Sequence, residues 1–319
     1  MDAIPRSLRE SPVHLFRASS LLGTAPYPWR GASLYKVRPG VYAARDAWNA
    51  LEPWDRYLAR VHAFALVRAD AVFSHESAAS LLGLPTFGHP RNIHIFDTRR
   101  SRSVAYGDVT AHTSADARSV QRVGGIHLTT AEDLVVDLAR VLPPAFGLAV
   151  ADAALRDSSL SREELIDHAA AQRNTFRVRR LEWVLTRATP LAESAGESLS
   201  RAVIEWCGFP APTLQMTHRL EGRAYRSDFS WPEQKVIGES DGWLKYGGDD
   251  PVAAAEAVRA EKRREDSFRR AGWRVARWDY AGALGADGLR AALAAAGLAP
   301  SRRADPAALA SVGRNPRSR

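Results

Sequence analysis

The sequence has almost no cysteine and lacks the runs and motifs that mark several protein classes. Its single cysteine, Cys207, excludes an internal disulfide and a cysteine-rich zinc site. No run of about 18 apolar residues occurs, and the first residues lack the basic-then-apolar order of a signal peptide, so we expect a cytoplasmic protein without a membrane partner. The nine histidines form no HxxxH or HxH pair, and there is no glycine-rich phosphate loop. A histidine metal site and a nucleotide-dependent enzyme are therefore not indicated.

Lysine is also scarce, although the chain is basic. The 319 residues contain 44 Lys and Arg against 36 Asp and Glu, a net charge of +8, and only four of these cations are lysines. Because phosphates are the commonest large anionic partners of basic surfaces, we expect the chain to bind DNA. The excess of basic residues lies in residues 1–190, with 24 basic and 19 acidic residues, and in residues 299–319, with five basic and one acidic residue. Residues 191–298 have 15 basic and 16 acidic residues, so this stretch is nearly neutral.

The N-terminal half predicts an α+β region. Residues 15–22 have a helical pattern, and residues 33–45 alternate around a Pro-Gly turn, which indicates a hairpin. A helix followed by a basic hairpin resembles a degenerate winged-helix segment, placed at residues 1–50. Further helices are expected near 55–67, 75–84, 130–141 and 145–156, and strands near 92–98 and 108–114. The candidate DNA contacts are the cations of the hairpin and of the loop between these strands: Lys36, Arg38, Arg99, Arg100 and Arg102.

A second domain is predicted after a break at residues 189–196. A helical pattern at 197–207 precedes four strand-like runs at 213–220, 225–232, 235–242 and 273–280, and a helix at 252–271 precedes the last of them. This order predicts an α/β domain over residues 191–298, with a mixed sheet flanked by helices. Residues 299–319 are rich in Arg, Ala and Ser, and we expect a disordered basic tail.

Three carboxylates fall on two neighbouring strands of this domain. Asp228 lies in one run, and Glu239 and Asp241 lie in the next, where a spacing of two places them on one face of the strand. Like charges so close repel unless a cation or a proton lies between them, and Mg²⁺ or Mn²⁺ prefers oxygen ligands. The pattern therefore indicates a metal site that would activate water. The alternative is an Asp-Gly hairpin with solvated carboxylates.

The same residues resemble the PD-(D/E)xK nuclease core, in which an Asp and a Glu-x-Lys on adjacent strands bind metal and activate water. More narrowly, they resemble the very-short-patch-repair-like, restriction-endonuclease-like domain through Glu197, Gln215, Asp228, Glu239, Asp241, Gly242, Lys245, Tyr246 and the run 261–265. The resemblance implies Asp228 and Glu239 as metal ligands, with Asp241 completing the site. It also implies Glu197 as a supporting acid. Because Asp241 stands where the motif has Lys, the catalytic ammonium would come from Lys245 or Lys262.

The N-terminal half resembles another family. RPGVY, FSHESAASLLGLP, TTAEDLVVDLAR and VADAALR with SREEL are similar to the AbiEi antitoxins of type IV abortive infection, over roughly residues 12–170. This resemblance implies a winged-helix DNA-binding segment followed by an α/β antitoxin domain at residues 51–190. Members of that family can repress their own operons.

Three functional hypotheses follow. The first is a metal-dependent DNA endonuclease, acting in phage defence or DNA repair, whose N-terminal region helps to hold DNA. The second is an antitoxin-like transcriptional regulator whose nuclease fold is inactive. The third is an antitoxin that acts only through contact with a toxin partner, which a toxin gene beside this one would favour.

Overall fold

A computed structural model describes residues 7–21, 33–157, 160–241, 251–313 and 315. The chain divides into two compact units. The N-terminal unit comprises residues 1–142, 157–186 and 315–319, and the C-terminal unit comprises residues 143–156 and 187–314. The division near residue 187 lies close to the predicted boundary, but the segment 143–156 joins the second unit rather than the first. In the described part of the chain, no helix has the length and apolar character that crossing a bilayer requires.

A small antiparallel sheet begins the N-terminal unit. Its strands are β1 (Phe16–Arg17), β2 (Leu34–Arg38) and β3 (Val41–Ala44), in the order β1-β3-β2. The hairpin β2–β3 is the predicted one. The helix expected over residues 15–22 is wrong, because Phe16 and Arg17 pair with β3 and only a 3₁₀ turn, Ala18–Leu21, follows. Residues 22–32 of the predicted winged-helix segment lie outside the described residues.

The N-terminal unit also contains a six-stranded mixed sheet. Its strands are β4 (Val72–Phe73), β5 (Ile93–Phe96), β6 (Val104–Tyr106), β7 (Val109–His112), β8 (Val120–Val123) and β9 (Ile126–Thr129), in the order β6-β7-β5-β4-β9-β8. The pairs β5–β7 and β4–β9 are parallel, and the other pairs are antiparallel. The helices up to residue 142 are α1 (Arg45–Asn49), α2 (Pro53–Val67), α3 (His75–Leu82) and α4 (Ala131–Val141). The N-terminal unit thus combines helices with mixed β-structure, as its sequence predicts.

Helix α5 (Pro144–Asp157) is followed by α6 (Arg162–Ala170) and α7 (Val178–Arg187). Local hydrogen bonds and backbone geometry define the start of α6 and the end of α3. Helix α6 begins with a capping box, because Ser161 Oγ accepts a hydrogen bond from Glu164 N while the Glu164 carboxylate accepts one from Ser161 N. Helix α3 ends at Gly83, whose φ of +76° is in the left-handed region that favours glycine.

The C-terminal unit is built on a four-stranded sheet. Helix α8 (Ala195–Trp206) precedes β10 (Thr213–Leu220), β11 (Arg223–Trp231) and β12 (Val236–Asp241), and α9 (Pro251–Arg270) leads to β13 (Arg274–Asp279). The order is β10-β11-β12-β13; the first three strands are antiparallel, and β12 and β13 are parallel. Because parallel neighbours require a long crossover, α9 lies between them in sequence. The elements that follow are α10 (Tyr280–Leu284), α11 (Asp287–Ala295) and α12 (Pro306–Ala310).

Strand β12 is covered on both faces. Its first four residues, Val236 to Glu239, are all buried, although a strand with one solvated face would alternate. At Gly238 the packing leaves no room for a side chain, since a Cβ there would lie 2.5 Å from Cη2 of Trp278 on β13. This close packing fixes the position of the acidic residues that follow.

The segment after residue 300 is ordered as far as the structure describes it, so the expectation of disorder is wrong for residues 301–313. The amides of Ser301 and Arg302 donate to the carbonyl of Gly208, and the amide of Asp305 donates to that of Trp206 at 2.8 Å. Carbonyls at a helix C-terminus need such donors, because they have no partner within the helix. The segment therefore donates hydrogen bonds to the carbonyls at the end of α8, a role that its composition does not predict.

Candidate functional site

The antiparallel pair β11–β12 brings Asp228 and Glu239 together. Phe229 lies opposite Gly238 in this pair, so the next positions, Asp228 and Glu239, are also neighbours. The Asp228 Oδ2 accepts a hydrogen bond from the Ser240 amide at 3.0 Å, which holds its carboxylate against β12. This is the approach that the sequence predicts.

Glu197 joins these two acids from the first turn of α8. Its Oε2 accepts hydrogen bonds from the Glu193 amide and from Gln215 Nε2, each at 2.9 Å. Burial raises the pKa of Glu197, and the nearby charge of Asp228 raises it further. Glu197, Asp228 and Glu239 are called the carboxylate row below.

Glu239, a buried member of the row, has a strongly raised pKa. The residue is only 4% exposed, and its pKa is raised from 4.5 to about 7. Burial is the largest cause, and the Asp228 charge also raises this pKa, whereas Arg264 and Arg277 lower it. A carboxyl group with a pKa near neutrality can both accept and donate a proton, which is the property that general acid–base catalysis uses.

Two arginines outside the predicted site residues neutralise this region. Arg264, on α9, forms an ion pair with Glu239, and it also donates to Glu261 at 3.0 Å and to the carbonyl of Arg226 at 2.8 Å. Arg277, on β13, pairs with Glu261 and lies 3.9 Å from the carboxylate of Asp241. Cations of the protein thus lie beside Glu239 and Asp241.

Of the two predicted lysines, the structure describes only Lys262, which it does not bring to the carboxylates. Lys262 is exposed on α9 and is two positions from Arg264, which places it about 200° around the helix axis. Lys245 lies outside the described residues. Helical periodicity contains the signal for the cation that faces Glu239, because Arg264 is one turn before Phe268, a buried apolar residue of this helix.

The contacts of these carboxylates bear on the predicted metal site. Carboxylate oxygens are suitable ligands for Mg²⁺, but Glu239 already pairs with Arg264. Within the described ranges, no group of three or more His, Cys, Asp or Glu side chains is arranged to hold a metal ion. The side chains as placed therefore do not fit a metal centre formed by Asp228, Glu239 and Asp241, and Mg²⁺ stays a prediction.

Of the two candidate DNA contacts on the hairpin, Lys36 is exposed and Arg38 is not. Both terminal nitrogens of Arg38 donate to the carboxylate of Asp108, at 3.0 and 2.7 Å, and its guanidinium lies 4.5 Å from the ring centroid of Phe64. The side chain is 15% exposed. Arg38 thus stabilises the fold, and Lys36 is the available cation of this hairpin.

The other candidates lie together in the exposed turn between β5 and β6. Arg99 and Arg100 both pair with Asp97, and Arg102 is exposed. The guanidinium of Arg100 also lies 5.2 Å from the ring centroid of Tyr106, an aromatic residue that is 42% exposed. This arginine turn, residues 97–103, presents cations beside an accessible aromatic ring.

Comparison with known proteins finds two relatives in Mycobacterium tuberculosis. They are the uncharacterised proteins MT2308, of strain CDC 1551 / Oshkosh, and Rv2248, of strain ATCC 25618 / H37Rv. Each is 31% identical to the chain over 249 residues, a match that covers 77% of this chain and 85% of the relative. No family model matches the chain, and no solved structure matches it significantly.

Proposed function

The chain belongs to the family of the mycobacterial proteins MT2308 and Rv2248, and we propose that it is a DNA-binding protein that contacts DNA through the arginine turn of its N-terminal unit. The observation that supports this proposal is the exposure of Arg99, Arg100 and Arg102 in one turn, with Tyr106 beside them. Arginine binds phosphate oxygens, and an exposed aromatic ring offers a surface for base stacking.

Charge distribution supports the same assignment. Residues 1–190 contain the excess of basic residues, whereas residues 191–298 are nearly neutral. In the C-terminal unit, Arg264 and Arg277 are occupied by Glu239 and Glu261. Because these acids already have cationic partners, we favour a C-terminal unit that contributes without cutting DNA, as in the antitoxin-like regulator hypothesis.

The test is the salt dependence of binding to a fluorescein-labelled duplex, followed by fluorescence anisotropy. Replacing the three arginines of the turn with Gln should weaken binding and reduce the slope of log K against log salt by about 2 to 3, since each lost phosphate contact removes about 0.9. The matched control replaces three other exposed arginines of the same unit with Gln: Arg122, Arg162 and Arg179. Equal slopes for the two triple variants would refute the assignment to the arginine turn.

A metal-dependent endonuclease is the second candidate, and one observation favours it. Asp228 raises the pKa of both Glu197 and Glu239, so the carboxylate row contains a repulsion that a bound cation would relieve. The mixed sheet flanked by helices also agrees with the nuclease resemblance. Titration calorimetry with MgCl₂ and MnCl₂ tests this candidate. The endonuclease candidate requires saturable binding of one of these ions, and Asp228→Asn should abolish that binding. The candidate is rejected if the wild type binds neither ion.

A further inference from the structure

Helix α4 contains a buried cation that forms no direct ion pair with any described residue. Arg140 is 3% exposed. Its Nη1 donates to the carbonyl of Phe176 at 2.8 Å, and its Nη2 donates to Gln172 Oε1 at 3.3 Å, so both acceptors are neutral. Its Nε is buried and has no hydrogen-bond partner. Burying a charge is costly unless an opposite charge accompanies it, so this arrangement calls for an anion.

Arg140 lines a cavity of about 100 Å³ in the N-terminal unit. Polar side chains form much of its wall, including His75, His112 and Asn174. Asp137 also lines it, but both of its carboxylate oxygens accept hydrogen bonds from Arg118, at 3.2 and 2.7 Å. Asp137 and Asp116 attract the Arg140 guanidinium from farther away, but burial has the larger effect and lowers the pKa of Arg140, so its charge is only partly compensated.

The two histidines of the wall are held in an unusual arrangement. The rings of His75 and His112 are stacked with centroids 3.8 Å apart, and His112 Nε2 lies 2.8 Å from Nδ1 of His94. The φ of His75 is +48°, a left-handed conformation at the first residue of α3. Backbone strain of this kind persists where the surrounding structure imposes it, and it concentrates at ligand-binding sites.

We propose that this cavity, the Arg140 pocket, binds a phosphate group. A neutral ligand would leave the guanidinium without a counter-ion, whereas a phosphate group in the cavity would supply the missing charge. The small volume admits a single phosphate group rather than a whole nucleotide. The group could come from inorganic phosphate or from the 5′ end of a DNA strand, because both present the same terminal chemistry.

Titration calorimetry with potassium phosphate on the full-length protein tests this proposal, with potassium chloride of equal ionic strength as the reference. We expect saturable binding to one site. Arg140→Met should weaken it by about tenfold or more, because a charged hydrogen-bond donor is lost. Arg122→Met removes an exposed arginine from β8 and should leave the affinity unchanged.

Asn174→Ala provides a second variant, since Asn174 lines the pocket and Arg140→Met can disturb the packing of α4. It should weaken phosphate binding several-fold. The proposal is overturned if the wild type shows no saturable binding, or if the pocket variants that remain folded bind phosphate as well as Arg122→Met does. Competition with a 5′-phosphorylated oligonucleotide, against the same oligonucleotide without the phosphate, then identifies the source of the group.

Discussion

The protonation of Glu239 should make the stability of the protein depend on pH in a defined direction. Its pKa is raised to about 7, above the value of about 4.3 for an exposed Glu. Between these two values the folded state binds a proton that the unfolded state has released, so the contribution of Glu239 to stability is fully present below about pH 4 and is lost as pH rises through 7. At about 1.36 kcal/mol per unit, the whole loss amounts to about 3 to 4 kcal/mol.

Glu239→Gln removes this titration while keeping the shape of the side chain. The free energy of unfolding of the wild type minus that of Glu239→Gln should therefore fall by about 3 kcal/mol between pH 4 and 8. Urea denaturation at a series of pH values provides the measurement. Trp231 and Trp278 are buried in the same unit and supply the fluorescence signal.

Glu261→Gln is the matched control with the opposite sign. Burial alone would raise the pKa of Glu261, but the hydrogen bond from Arg277 and the charges of Arg264 and Arg277 lower it overall. Its stabilising contribution is present above the unfolded pKa and is lost as pH falls, so the corresponding difference should rise with pH. A difference for Glu239→Gln that stays flat from pH 4 to 8, or that rises, would refute the reasoning about burial.

Three further predictions concern the fold. Gly238→Ala should lower the free energy of unfolding by about 1 to 3 kcal/mol in urea denaturation, because the new Cβ overlaps a tryptophan ring, whereas Gly313→Ala, with open space around it, should change little. Ser161→Ala should cost about 1 kcal/mol in the same assay by removing the cap of α6. Arg38→Met should lower the thermal midpoint and have little effect on DNA affinity in the anisotropy assay, because Arg38 is paired with Asp108. A loss of DNA affinity without a loss of stability would contradict this role.

Regular alternation made the C-terminal sheet predictable. The runs at 213–220 and 235–242 correspond to β10 (Thr213–Leu220) and β12 (Val236–Asp241) with shifts of at most one residue. Helix α9 was placed within one residue of its observed ends for the same reason, since its apolar spacing and the glycine after it are local signals. The approach of Asp228 to Glu239 followed from this order of elements.

Other features could not be read from local patterns. Strand β1 (Phe16–Arg17) has the composition of a helix and becomes a strand only because β3 pairs with it. The pairing of Arg264 with Glu239 joins residues 25 positions apart, and the sequence does not show which of the neighbouring cations faces the acid. The contact of His75 with His112 likewise depends on the order of strands in the six-stranded sheet.

The most direct test of the central claim, binding of DNA without cleavage, uses supercoiled plasmid incubated with the wild-type protein and Mg²⁺. The plasmid should migrate more slowly on a native gel and return entirely to the supercoiled band after the protein is removed. An unshifted plasmid would contradict the claim of DNA binding. If the wild type produces nicked or linear DNA and Asp228→Asn does not, the carboxylate row cuts DNA and the claim is wrong.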